Sequence, residues 1–315
     1  MTIFDKYQLL PGNAICYSGF RAGQKPGGKY PSYEEIKEDL NLLGPYFKYL
    51  KIYDVDVHAE TVLEVISKEN FNFKIMLGAY IEAEKNNENC PWEMPFLSDE
   101  NLDKNKQSNE VKIEKLIDLS NLYPTIISFL SVGNEACVSW TDHLVSQESV
   151  VNYTKMVQKN AKQPVTFCEN YLPWINELQT LAETVDFISI HSYPLWEHKD
   201  IEEALDFTKQ NYWEVKNKYP HKQIVITEAG WATNANGKGF PAHNANEIAQ
   251  QDYFLALMNW CNTESILCYY FEAFDELWKG SEDPLEPEKH WGLFYENRSP
   301  KQAVNDNTIL KLNYV

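Results

Sequence analysis

Eight short apolar runs, separated by seven stretches with helical spacing, constrain this 315-residue chain more than any other feature. The runs are Asn13–Ser18, Tyr49–Tyr53, Phe73–Ala79, Ile126–Glu135, Pro164–Cys168, Phe187–His191, Ile224–Glu228 and Ile266–Phe271. They are rich in β-branched and aromatic residues and too short for helices, which is how strands buried on both faces read. A capping box of Ser32 and Glu35 after Pro31 opens the first intervening helix, with Ile36, Leu40 and Leu43 on one stripe. Further helical text covers 60–68, 111–122, 147–161, 174–183, 201–218 and 245–260. Strict alternation implies a parallel sheet, and eight units of this length fit a closed (β/α)8 TIM barrel, a single domain over 1–315. An open doubly wound sheet is the competing arrangement, but it usually carries a Gly-rich phosphate turn after its first strand, and none is present. One connection is out of proportion. The polar segment 82–109, with Cys90-Pro91-Trp92, reads as a functional or decorating loop.

Two of the strands end in the same unusual way. Val132-Gly133-Asn134-Glu135 closes the fourth, and Ile226-Thr227-Glu228-Ala229-Gly230-Trp231 closes the seventh. A lone glutamate at a strand end reads as a cap or an ion-pair partner. A matched pair at the C-terminal mouth of a barrel reads as two acids facing one pocket. Paired carboxyl groups are the usual equipment for glycoside hydrolysis: roughly 5–5.5 Å apart for retention, roughly 6.5–9.5 Å for inversion. One of the two must hold its proton at working pH, through burial or its neighbour's charge.

The formal charge of −18 argues against nucleic acid and anionic membranes as partners, since both require clustered Lys and Arg. Aromatic residues make up 14%, including nine Trp and nineteen Tyr, so either the core is aromatic or a cleft is lined with flat rings for sugars. Trp140, Trp196, Trp231, Trp278 and Trp291 lie just beyond strand ends, where stacking platforms would sit. Tyr53 and Tyr193 end strands two and six, as core residues or as donors to Glu228 or a sugar. The six cysteines form no C-x-x-C pair, so neither a zinc site nor a disulfide framework is expected. Asp54-Val55-Asp56-Val57-His58 alternates potential ligands but reads as a polar strand-end turn, with Asp54 lining a subsite. No metal or cofactor is expected. Asp186 and His191, flanking a buried strand, read as structural. The N-terminus shows no signal-peptide apolar region and no run reaches membrane-spanning length. A soluble, unexported monomer is the expectation, or a periplasmic or secreted one if a leader has been removed.

Cys16-Tyr17, Ile52-Tyr53, the two glutamate blocks, Phe274-Asp275-Glu276 with Lys279, and Glu288-Lys289-His290-Trp291-Gly292-Leu293-Phe294 occur in an order that resembles the β-1,3-glucanases of glycoside hydrolase family 17. The resemblance spans nearly the whole chain. Phe20–Gln24 and Pro31–Ile36 are more similar to bacterial members than to plant ones. It implies a (β/α)8 barrel with Glu135 as general acid/base, Glu228 as nucleophile and retention of configuration. It further implies Asn134 on the 2-hydroxyl of the sugar in subsite −1. Glu276, Lys279 and Glu288 match a polar cluster after strand eight, with a longer Lys279–Glu288 spacing than in plant members. The implied activity is endo-hydrolysis of laminarin-like β-1,3-glucan, polymer or oligosaccharide. Some bacterial relatives pass the sugar to another glucan instead of water, so a transglycosylase, an exo-acting enzyme and a non-catalytic glucan-binding barrel stand as alternatives.

Overall fold

A computed structural model describes residues 1–91 and 95–305; Trp92 and the segment 306–315 lie outside the described residues. The first element is a short helix absent from the sequence expectations, α1 (Ile3–Tyr7), opened by a Thr2–Asp5 capping box. Alternation then begins: β1 (Ala14–Cys16), α2 (Tyr33–Leu43), β2 (Tyr49–Ile52), α3 (Val57–Glu69), β3 (Lys74–Ala79), α4 (Asp99–Leu122) and β4 (Ile127–Asn134). It continues with α5 (Gln147–Asn160), β5 (Val165–Asn170), α6 (Tyr171–Asn176), α7 (Gln179–Thr184), β6 (Ile188–His191), α8 (Ile201–Lys218), β7 (Ile224–Gly230), α9 (Glu247–Glu264) and β8 (Cys268–Phe271). Each strand pairs in parallel with its sequence neighbours, and β1 pairs with β8, closing the barrel. The expected (β/α)8 fold is therefore present. Its walls are dry: β1, β2, β5, β6, β7 and β8 are buried at every position.

The anticipated Ser32–Glu35 capping box forms, with Ser32 N–H donating to Glu35 Oε2 at 2.8 Å and Glu35 N–H to Ser32 Oγ at 3.3 Å. Asp56 turns out to be the N-cap of α3, its carboxylate accepting the Ala59 N–H. Two helix boundaries differ from the sequence reading. Ser98 caps α4 thirteen residues before the apolar periodicity of 111–122 becomes visible, so the last eleven residues of the supposed loop 82–109 are helix whose first turns are polar and exposed. The helix expected over 174–183 is two short ones, α6 and α7. Between them Leu178 turns into the core, while Trp174 Nε1 donates to the Ser189 carbonyl.

Five aromatic rings help to close the barrel's lower end. Phe4 of α1 packs on Tyr49, and Tyr7 meets Phe129 and Phe187 edge-on at 5.9 and 6.2 Å. Tyr7 also donates to the Asp186 carbonyl. Asp186 is structural, as expected: its carboxylate accepts the Val165 N–H at 2.7 Å. All six cysteines are free thiols. Among the described residues no helix is long and apolar enough to cross a membrane.

Candidate active site

Four strand pairings shift register, and three of the shifts lie toward the C-terminal ends: β4–β5 between Ser131 and Asn134, β6–β7 between Ile190 and His191, and β7–β8 between Ile226 and Ala229; the fourth, β3–β4 between Ile75 and Met76, is near the other end. Such irregularities re-aim side chains. Here the first three surround Asn134, Glu135, His191 and Glu228. Gly133 (φ 92°) and Glu135 (φ 48°) are both left-handed, so β4 leaves the sheet in a tight turn. A side chain at Gly133 is excluded, because its Cβ would lie 2.8 Å from Ile81 and 3.0 Å from Phe167.

Glu228 is enclosed on every side. Lys51 Nζ donates to its Oε1 at 2.6 Å and the Tyr193 hydroxyl to its Oε2 at 2.5 Å. Burial alone would protonate it, but His191, Lys51 and these donors hold its pKa down at about 2. His191 stands between the two glutamates. Its Nδ1 is 2.8 Å from Glu135 Oε1 and 3.4 Å from Glu228 Oε2. Burial works against a charged ring and Glu228 for it; the balance lifts the His191 pKa to about 9, with Lys51 opposing. Lys51 itself is 2% exposed. Burial disfavours its charge, yet Glu228 pushes its pKa above the usual lysine value. Lys51 also donates to Asn134 Oδ1 at 2.8 Å, which fixes the amide orientation and leaves Nδ2 as the outward donor.

A second polar group lies beside the first. Lys279 Nζ sits 3.0 and 2.9 Å from the two oxygens of Glu272, at the end of β8, and 2.6 Å from Glu276 Oε2. Two buried carboxyls sharing one ammonium cannot both ionise freely. Burial and then Glu276 push Glu272 well above the carboxylate range, while Lys279 overcomes burial to hold Glu276 below it. Burial also raises Glu288 to about 7, with Lys279 opposing and the charges of Glu135 and Glu228 adding to the shift.

Most of the residues expected at the site gather here: Glu135, Glu228, Asn134, Tyr193, Glu276, Lys279 and Glu288. Tyr53 borders it, with the Lys51 ammonium 4.5 Å from its ring centroid and its buried hydroxyl unpartnered. Trp140 is half-buried five residues beyond Glu135, on the same loop. Trp196 is half-buried and wedged against Phe240 and Trp291, with ring centroids at 4.7 and 6.2 Å. Asp54 is spoken for: it accepts the Val55 and Tyr80 N–H groups and pairs with Lys112 at 3.2 Å. Trp231 is a correction. It is fully buried, donates Nε1 to the Asn244 carbonyl and packs on Tyr253 of α9, so it is core and no sugar can stack on it. His191 is another, since it contacts both carboxylates instead of serving only the strand.

Lys51 and Glu272 were missed. The signal for Lys51 was a charge inside the apolar run Tyr49-Leu50-Lys51-Ile52, a place lysine occupies only when paired. Glu272 had the same kind of signal, a carboxyl directly after Tyr269-Tyr270-Phe271. Among the described residues no group of three or more His, Cys, Asp or Glu is placed to hold a metal ion.

The BtgE/BtgC glycoside hydrolase domain family model matches residues 14–292. An Aspergillus niger protein named "Putative glucan endo-1,3-beta-glucosidase btgC" is 26% identical over 87% of this chain and 40% of its own length. A Schizosaccharomyces pombe glucan 1,3-beta-glucosidase is 24% identical over 86% of this chain and 81% of its own length. The chain thus spans about two fifths of the length of the first curated relatives it matches. Among solved structures, an endo-laminarinase from Formosa Hel1_33_131 superposes with a TM-score of 0.82 at 25% identity, covering 97% of this chain and 88% of that one. A Rhizomucor miehei β-1,3-glucanosyltransferase, at 21% identity and a TM-score of 0.74 over 94% of this chain and 97% of that one, shares the fold.

Proposed function

This chain belongs to the BtgE/BtgC glycoside hydrolase domain family, and from that premise we propose that it is a family 17 β-1,3-glucanase that cuts laminarin-like glucan internally with retention of configuration. The observation that carries the proposal is the shared His191 nitrogen. Glu135 and Glu228 present oxygens to it at 2.8 and 3.4 Å, so one nitrogen gathers an oxygen of each carboxyl, which supports the closer spacing of a retaining pair over the roughly 6.5–9.5 Å of an inverting one. The environments divide the labour. The Glu228 side chain is 6% exposed and held ionised, which suits a nucleophile; that of Glu135 is 29% exposed, which suits a group that must exchange protons with water.

In the proposed cycle, Glu135 protonates the glycosidic oxygen as Glu228 Oε2 or Oε1 attacks the anomeric carbon. The C–O bond breaks, the shortened glucan leaves as an alcohol, and a glycosyl ester to Glu228 remains. Glu135, now ionised, takes a proton from water, whose oxygen attacks the same carbon and restores the Glu228 carboxylate. Asn134 donates Nδ2 to the 2-hydroxyl of the sugar in subsite −1, a hydrogen bond that strengthens toward the transition state; its Oδ1, held by Lys51, supports this role. Trp140, half-buried on the Glu135 loop, serves as a platform for a sugar ring. The likeness to an endo-laminarinase supports β-1,3-glucan as substrate and internal attack.

Laminari-oligosaccharides and laminarin, followed by mass spectrometry and early-time proton NMR, test this. The expected result is a ladder of short products with the β-anomer formed first. First-formed α-anomer would refute retention, products longer than the input would mean transfer, and a single small product would mean exo attack. Binding without turnover at any pH would leave a glucan-binding barrel.

A further inference from the structure

Glu169, the penultimate residue of β5, is a fully buried carboxyl that forms no ion pair among the described residues. Its oxygens are occupied by main chain instead. Oε2 accepts the Cys137 N–H at 2.8 Å and Oε1 the Asn170 N–H at 2.7 Å. Cys137 is two residues beyond Glu135, in the turn that starts with left-handed Gly133. The neighbouring β5 residue acts on the same turn: the Cys168 carbonyl accepts the Glu135 N–H at 2.9 Å. Consecutive positions of β5 therefore take alternate N–H groups of a chain that has left the sheet. The first does so with its carbonyl and the second, where the strands diverge, with the longer reach of a side chain. A non-glycine residue at positive φ persists only when its surroundings hold it there.

We infer that Glu169 is a positioning residue for Glu135: by accepting the Cys137 N–H it fixes the turn that aims the Glu135 carboxyl at the leaving-group oxygen. The proposal rests on the reading of Glu135 as the acid/base. It accounts for an otherwise costly group, a buried carboxyl with no counter-ion at the rim of the site. Burial and then the Glu135 charge raise Glu169 to about 8, against the pull of its two N–H donors, so the two carboxyls sit in each other's field.

The test compares leaving groups. Misplacing a reacting group by about 1 Å costs on the order of 100-fold, and a misaimed acid hurts only substrates whose leaving group needs a proton. Glu169→Ala is assayed on a laminari-oligosaccharide and on 2,4-dinitrophenyl β-laminaribioside, whose phenolate departs unaided. The expected result is a drop of about tenfold to 100-fold in kcat on the oligosaccharide with KM within about threefold, and formation of the glycosyl-enzyme from the aryl substrate within about threefold of wild type. Glu169→Gln keeps an acceptor for one N–H and should give a smaller loss with the same dependence on leaving group; it serves alone if the alanine variant does not fold. Equal losses on both substrates, or none on either, would overturn the inference while leaving the hydrolase reading intact. A wild-type protein that cleaves neither substrate would sink that reading, and this one with it.

Discussion

Replacing Lys51 by methionine probes the centre of the site most directly, because one ammonium holds both the Glu228 carboxylate and the Asn134 amide. In the folded chain the pKa of Glu228 drops from 4.5 to about 2, which is about 3 kcal/mol in favour of the ionised form. His191 and Lys51 carry this together against burial, so losing Lys51 forfeits a substantial part of it. The sign follows from the role. A nucleophile must be ionised, activity is lost as pH falls through its pKa, and a raised pKa moves that loss upward. The acidic limb of kcat/KM should therefore shift up by about one unit or more. At the optimum, removing one preorganised charged donor should cost on the order of 100–1,000-fold. The assay is kcat/KM on a laminari-oligosaccharide from pH 3 to 8, with circular dichroism confirming the fold, since breaking a buried pair costs about 3–5 kcal/mol of stability. An unmoved limb with activity within about threefold of wild type would show that the Lys51 contacts do not matter to the chemistry.

Glu228→Ala should abolish turnover with the fold intact, whereas Glu135→Ala should recover on an activated aryl glycoside when azide is added; ordinary activity in either variant removes the assignment. Trp231→Phe should leave KM within about twofold and lower stability by about 1–3 kcal/mol, read from urea unfolding, because its ring lies in the core; a large rise in KM would return it to the cleft. Stability should fall on the alkaline side. The pKa values of His191 (6.5 to about 9) and Glu169 (4.5 to about 8) are raised by folding, so their contributions are full below the unfolded values and are lost as pH climbs through the folded ones. Calorimetry should show Tm dropping between pH 4.5 and 9, less steeply above pH 6.5 in His191→Asn; a flat profile contradicts the shifts.

The fold was readable because each strand is buried on both faces and so appears as an uninterrupted apolar run with a plain end. The two glutamates could be found because they stand at those ends. What escaped notice has physical causes. The polar first turns of α4 carry no hydrophobic period, so 99–110 looked like loop. Lys51 and Glu272 stand in or directly after apolar runs, but the partners that make them tolerable, Glu228 of strand seven and Lys279 beyond strand eight, belong to neither run. His191 and Asp186 bracket the same strand and look equivalent in text; only the barrel places one at the mouth and the other at the base. Trp231 failed for the converse reason. It follows a strand end as a platform would, but its orientation depends on the register shift in β7–β8.

The helix at the barrel's base also bears on the order in which the molecule assembles. The seat for Ile3–Tyr7 is built from Tyr49, Phe129, Asp186 and Phe187, and Gln223 donates to the Met1 carbonyl. The ribosome makes this helix before any of those partners. Its docking closes loops of as many as 180 residues, the slow, entropically expensive kind of contact. A segment synthesised early must therefore wait, its apolar face open to solvent, until six strands have found one another. Its docking therefore comes late, and hydrogen exchange in Ile3–Tyr7 should report a late step of folding.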